Sequence, residues 1–208
     1  MINEAEWLRS GLPVSRETLD RMSVYEALLH KWSGKINLVA SSTLHEVPTR
    51  HFLDSAQLWT LKPSGVSEWL DLGSGAGFPG MIIAIIAAEI DPALRVSLVE
   101  SDARKAAFLM TVARETGLEV NILAQRIESL PEQQAQVVSA RALAPLPKLL
   151  ELSARHLKPG GTALFLKGQG ADEEIAEALA KRSFSVQKFP SRTDPRGVIL
   201  RIGELGYA

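Results

Sequence analysis

Two textures of apolar and polar positions meet near Lys62-Pro63-Ser64-Gly65. Before that point the spacing is helical. Leu19, Met22, Tyr25, Leu28, Leu29 and Trp32 recur at steps of three or four, which draws one apolar stripe along a helix. Phe52, Leu53, Ala56 and Trp59 repeat the stripe after Pro48, a residue suited to a first helical turn, and Thr43 and Glu46 have capping-box spacing. Beyond Gly65 short apolar runs alternate with longer helical ones. Residues 66–72 predict a strand, followed by a glycine-rich turn and a helix to about Ile90. Residues 95–100 predict a strand and 103–116 a helix that Gly117 ends. Strands at 119–124 and 136–140, a helix at 146–157, a turn over 158–161 and a strand at 162–167 come next. A helix at 172–181 precedes strands at 184–189 and 198–202 with no helix between them, so that edge is expected to be antiparallel.

Strand–helix alternation gives a mostly parallel sheet covered on both faces. The expected fold class is therefore α/β, Rossmann-like, with residues 1–62 as a helical extension packed on a domain of residues 63–208. The length of 208 residues suits one domain with such an extension. The first ten residues contain Glu4 and Glu6 and no apolar run, and the longest apolar stretch, 81–88, is far too short to span a bilayer. A cytoplasmic protein without a membrane partner is the expectation.

The richest chemistry lies in Asp71-Leu-Gly-Ser-Gly-Ala-Gly-Phe-Pro-Gly80, between a predicted strand and a predicted helix. Gly75, Gly77 and Gly80 fit the dinucleotide fingerprint, which lets backbone approach a ligand closely but says little by itself. Asp71, two residues before the first glycine, is placed to hold an ammonium group directly or through water. Glu100 ends the next strand, where a carboxylate accepts both hydroxyls of a ribose. An amino-acid end with a ribose and no pyrophosphate fits S-adenosylmethionine better than NAD. The bland alternative is that the glycines only make a tight turn and Asp71 caps the helix.

These residues are part of a longer resemblance. The glycine loop, Leu98-Val-Glu-Ser-Asp-Ala-Arg-Lys-Ala-Ala-Phe-Leu109 and Ser139-Ala-Arg-Ala-Leu-Ala144 resemble the bacterial 16S ribosomal RNA guanine-N7 methyltransferases, also called glucose-inhibited division protein B. Asn37-Leu38, Arg50-His-Phe-Leu-Asp-Ser55, Leu157-Lys-Pro-Gly-Gly161 and Leu166-Lys-Gly168 are similar as well, so the likeness covers roughly three-quarters of the chain. Met81-Ile82 and Ala56 depart from the commoner proline and leucine and touch no ligand-binding group. The resemblance implies a seven-stranded methyltransferase fold, S-adenosylmethionine as donor with S-adenosylhomocysteine as product, and a guanine in the decoding-region loop of 16S rRNA as acceptor. The partner would be 16S rRNA, the 30S subunit or its precursor, with the enzyme as a monomer. Carried over by position, Gly73 and Phe78 line the donor site, Glu100 takes the ribose, Ile127 and Glu128 meet the adenine, and Arg141 lies beside the donor.

Chemistry and composition narrow this further. Guanine N7 carries an in-plane lone pair, so alignment suffices and a general base is optional. The absence of cysteine excludes methylation at cytosine C5 through a thiol, along with disulfides and thiolate zinc sites. No second histidine or carboxylate cluster accompanies His51 and Asp54, so no metal is expected and an i, i+3 hydrogen bond between them is the simpler reading. Arg141 either holds the donor or a phosphate, or pairs with Glu100, Glu128 or Asp71. Lysine and arginine number 23 against 24 acidic residues, for a net charge of -1, so RNA contact has to come from a local basic rim. Arg50, His51, Arg104, Lys105, Lys167, Arg192 and Arg196 are the candidates. Arg104 and Lys105 open a helix against its dipole, which suits a phosphate partner or an exposed charged face. Rival readings are a small-molecule methyltransferase, a non-catalytic nucleotide- or RNA-binding protein and an NAD oxidoreductase.

Overall fold

The structure is a computed structural model that describes Trp7, Leu12 and residues 14–205; Glu4 and Glu6 lie outside the described residues. Helix α1 (Arg16–Ser33) is capped by Ser15, whose hydroxyl accepts the Thr18 N–H at 3.4 Å. Met22, Tyr25 and Leu29 carry its apolar stripe into the core. The stripe after Pro48 does not form a regular helix. Ser41–Glu46 is a 3-10 helix, Val47–Leu53 winds as a π-helix, Asp54–Ala56 makes one α turn and Gln57–Leu61 is again 3-10. Thr43 caps nothing: its hydroxyl donates to the Ala40 carbonyl.

The rest is a seven-stranded sheet with helices on both faces. Its strands are β1 (Glu68–Leu72), β2 (Arg95–Val99), β3 (Asn121–Leu123), β4 (Ala135–Arg141), β5 (Leu157–Lys167), β6 (Ser185–Pro190) and β7 (Val198–Gly203). Their spatial order is β3-β2-β1-β4-β5-β7-β6. The first five are parallel, and β7 runs antiparallel to both β5 and β6. Helices α2 (Gly80–Ile90), α3 (Ala103–Thr116), α4 (Leu146–His156) and α5 (Ala171–Leu179) connect them. The turn expected at 158–161 is a bulge inside β5. Leu157 pairs with Ala135 and Thr162 with Val137, so residues 158–161 stand opposite Gln136 alone.

Side-chain alternation along β1 sorts the layers. Leu70 and Leu72 face the cluster built with α4 and α5, whereas Trp69 faces the opposite side with Ile83 and Ala87 of α2. Met22, Tyr25 and Leu29 of α1 share one core with Phe78, Ile82, Leu98 and Phe108, so the N-terminal helix packs directly on the glycine loop and its helix. Strand order reverses between β1 and β4, and ligands of open α/β sheets bind at such a switch point, outside the carboxyl ends of the strands.

Candidate functional site

The glycine loop leaves β1 and enters α2 under several restraints. Its Ser74 N–H donates to the Val99 carbonyl at 2.9 Å, and the Tyr25 hydroxyl of α1 donates to the Ala76 carbonyl. The glycines divide by purpose. A Cβ on Gly77 would meet the Tyr25 hydroxyl and lie 2.9 Å from the Met81 Cβ, at a φ of +103°. One on Gly80 would strike Leu98 and come within 2.6 Å of the Asp71 Cβ. Those two are required by packing. Gly75, at φ +58°, has nothing nearer than 3.8 Å and turns its open side to the hollow beside it.

Asp71 is fully buried, and its carboxylate does not reach that hollow. It accepts from the Ser139 hydroxyl at 2.6 Å and from the Gly80 N–H, the first residue of α2, at 3.1 Å. Trp69 Nε1 donates to the same Ser139 hydroxyl at 2.9 Å. Burial pushes the Asp71 carboxyl up to about 6, against the bonds from Ser139, Ser74 and Gly80 that pull it down. The carboxylate thus caps α2 and holds the loop, the alternative role its position also allowed.

A hollow of about 570 Å³ opens at the carboxyl ends of β1, β2 and β4. Gly73, Gly75, Glu100, Ile127, Glu128 and Arg141 all line it, with Leu38 and Phe78. Glu100 is 8% exposed; one carboxylate oxygen accepts the Gly75 N–H at 2.8 Å and the other the Asp102 N–H at 2.7 Å. Each oxygen keeps a further lone pair, so the group can hold the loop and still accept from a hydroxyl. Ile127 opens a short 3-10 turn (Ile127–Ser129) whose backbone is fixed by His156 at 3.2 Å.

Arg141, at the end of β4, does not pair with Glu100, Glu128 or Asp71. Its guanidinium donates to Asp54 at 3.3 Å, to the Arg50 carbonyl at 3.2 Å and to His51 Nδ1 at 2.8 Å. It also lies 4.9 Å over the Phe78 ring, which stacks on His51. A guanidinium only donates, so Nδ1 accepts and the proton sits on Nε2, which donates to Thr43. Burial, then the Arg141 and Arg50 charges, lower the His51 pKa to about 3, so the ring is neutral. His51 and Asp54 therefore meet Arg141 instead of each other. Asp54 also accepts from Thr193 at 2.8 Å, Gln57 at 3.2 Å and Ser191 at 3.4 Å.

The other cations are placed variously. Arg104 folds back onto its own N-cap, Asp102, at 2.9 Å, which offsets its charge against the helix dipole, while Lys105 beside it lines the hollow. Lys167 is withdrawn from solvent: it pairs with Glu174 at 2.7 Å and donates to the Ala144 carbonyl at 3.1 Å. Arg50 and Arg196 both approach Asp194, at 3.4 and 3.8 Å, and the Arg192 N–H donates to Gln57 at 2.6 Å. Sequence reasoning gave no site role to Leu38, Tyr25 or Asp194, and paired Asp54 with His51 instead of Arg141. Asp54 lay within a quoted motif, but Tyr25 carried no signal beyond its helical stripe.

A seven-stranded sheet with a reversed final pair and a glycine loop at its switch point defines a class I methyltransferase. Solved structures with this fold include a ribosomal protein L11 methylase from Lactobacillus delbrueckii subsp. bulgaricus (TM-score 0.61, 19% identity, 74% of this chain and 78% of that one). A methyltransferase from Geobacter sulfurreducens also matches (TM-score 0.61, 15% identity, 96% of each chain). In sequence, the family model of rRNA small subunit methyltransferase G matches residues 18–196. Relatives named ribosomal RNA small subunit methyltransferase G are 54% identical in Rhodospirillum centenum, over 95% of this chain and 89% of that protein. In Cereibacter sphaeroides the identity is 52%, over 97% and 98%. The chain belongs to the rRNA small subunit methyltransferase G family and is a methyltransferase. Among the described residues no helix is long and apolar enough to cross a membrane.

Proposed function

We propose that the enzyme transfers a methyl group from S-adenosyl-L-methionine to N7 of a guanine in the decoding-region loop of 16S rRNA. It acts as a cytoplasmic monomer on the rRNA, the 30S subunit or its precursor. Family membership supports the rRNA substrate, and the hollow at the carboxyl ends of β1, β2 and β4 carries the reading. Its volume of about 570 Å³ falls in the ordinary range for small-molecule sites, ~300–1,000 Å³. Its residues fit the donor: Glu100 for the ribose hydroxyls, Ile127 and Glu128 for the adenine, Gly73 and Gly75 for close backbone approach. The donor, when bound, supplies an electrophilic methyl group on a sulfonium.

The chain's own residues then orient and shield. Guanine N7 attacks without losing a proton, so no base is needed, and neutral His51, its Nδ1 already accepting from Arg141, supplies none. Catalysis by alignment asks for a rigid rim. Arg141 helps provide it, fastened to residues 50, 51 and 54 and stacked on Phe78. Within the segment of residues 1–62, the described part from residue 14 onward serves as a cover on the catalytic domain 63–208, with Tyr25 gripping the glycine loop and Leu38 at the hollow. Arg50, Lys105 and Arg196 form the local basic rim for phosphate, with Arg104 and Arg192 beside them.

The test is methyl transfer by the purified protein from labelled donor to 30S subunits lacking the modification, followed by nucleoside analysis. Label in 7-methylguanosine of 16S rRNA is expected. Label in another nucleoside, or none, overturns the reading.

A further inference from the structure

A second hollow, of about 370 Å³, adjoins the first and shares Leu38, Arg141 and Ala142 with it. Arg50, His51 and Asp54 line one side, Thr193 and Asp194 another, and Val39 closes it with apolar surface. Ala142, at the junction, holds a φ of +51°, a left-handed conformation that alanine avoids and that persists where the surroundings impose it. Two carboxylates reach this space, and they differ in what they have left to offer. Asp54 is the more heavily engaged: one oxygen takes Thr193, Gln57 and Ser191, and the other holds the Arg141 guanidinium. In Asp194 one oxygen accepts the Arg196 N–H at 2.9 Å, but among the described residues the other has a single long contact, 3.4 Å from Arg50. Its side chain is 27% exposed.

We propose that this hollow receives the guanine that is methylated, and that Asp194 accepts hydrogen bonds from its N1–H and N2–H groups. The inference rests on the methyl-transfer reading above and deepens it by assigning the acceptor base a site and a reader. With N7 turned to the junction at Arg141 and Ala142, the Watson–Crick edge of the purine points away from the donor hollow, toward the loop that carries Asp194. A carboxylate there selects guanine twice over. It accepts two N–H donors, and it repels adenine, whose N1 is a bare acceptor. The bond from the Arg196 N–H and the charges of Arg196 and Arg50 keep Asp194 below the usual carboxylate range, so it is an anion at neutral pH.

The same contact acts on the reaction. N7 forms its bond to the methyl carbon with its own lone pair, the carbon–sulfur bond breaks with its electrons left on sulfur, and no proton moves. The purine thereby acquires the positive charge, and its N1–H becomes more acidic. A hydrogen bond from N1–H to a fixed carboxylate therefore strengthens along the reaction coordinate. Arg50, released from its long contact when the base takes Asp194, is left to a phosphate of the same RNA.

The experiment pairs Asp194→Asn and Asp194→Ala with 30S subunits reconstituted around 16S rRNA carrying guanine or inosine at the methylated position. Inosine keeps N1–H and lacks the N2 amine. Wild-type kcat/KM should fall about ten-fold or more from guanine to inosine, the size of one hydrogen bond to a charged group. Both variants should bind donor within twofold of wild type by calorimetry, which also reports their folding. Their guanine activity should drop by about ten-fold or more, with the guanine/inosine ratio falling toward one. An unchanged ratio in variants that methylate 30S subunits overturns the role of Asp194 and leaves the methyl-transfer reading standing. Absence of N7 methylation by the wild type removes both.

Discussion

Replacing Glu100 by alanine separates two roles that this side chain combines. In the folded protein its carboxylate accepts the Gly75 N–H at 2.8 Å and the Asp102 N–H at 2.7 Å in a place only 8% exposed. Truncation leaves two backbone donors without an acceptor, each worth about 1–3 kcal/mol when buried. The adjoining hollow admits water to part of the site, so the loss of unfolding free energy should be about 2–4 kcal/mol. Urea denaturation of the donor-free protein reads this as a lower midpoint at unchanged slope. Calorimetry with S-adenosylmethionine reads the second role. Loss of the ribose acceptor and loosening of Gly75 should together weaken donor binding by about a hundred-fold, equivalent to ~2.7 kcal/mol. A variant as stable as wild type would refute the loop-holding bonds. One destabilised as expected but binding donor with full affinity would refute the ribose assignment.

Gly77→Ala should destabilise by about 2 kcal/mol or more, measured by urea denaturation, because the new methyl meets the Tyr25 hydroxyl and Met81 at a φ suited to glycine. Arg141→Ala should cost about 2–3 kcal/mol of stability, less than the ~3–5 of a fully buried pair because the Arg141 and Asp54 side chains are 18% and 16% exposed. A change under ~0.5 kcal/mol in that variant would mean the Arg141 network holds nothing. His51 governs the acid side. Its folded pKa of about 3 lies below the unfolded 6.5, so between those values the unfolded chain binds a proton that the folded chain refuses. Stability should fall as pH drops through that window, by up to ~1.4 kcal/mol per pH unit, and His51→Gln should flatten the curve. Equal pH dependence in the two proteins would remove His51 from the account.

Much of this architecture was legible in local pattern. The parallel strands β1, β2 and β4, the glycine loop between β1 and α2, and the antiparallel final pair all follow from apolar runs and the helices between them. Gly117 ends α3 as expected, in the left-handed conformation at φ +64°. What escaped the sequence is what depends on distant partners. The stripe after Pro48 has helical spacing, and spacing cannot tell an α-helix from alternating 3-10 and π turns. That segment is held by bonds that Asp54 accepts from Arg141 and Thr193, 87 and 139 residues away. The protein partners of Asp71 and Lys167 were hidden for a related reason. Their positions at strand ends suggest ligand contact, but Ser139 and Gly80 take the first, and Glu174 and Ala144 the second. Glu100 is the converse case: its place at the end of β2 brought it to the hollow, while its grip on Gly75 could be seen only in three dimensions.

Guanine-N7 methylation of 16S rRNA by this protein can be read directly in cells. The modified nucleosides of 16S rRNA are mapped in a strain lacking this protein and in the same strain with the gene restored. The 7-methylguanosine in the decoding-region loop should disappear on deletion, return with the wild-type chain and fail to return with Glu100→Ala. Retention of that nucleoside in the deletion strain would contradict that activity.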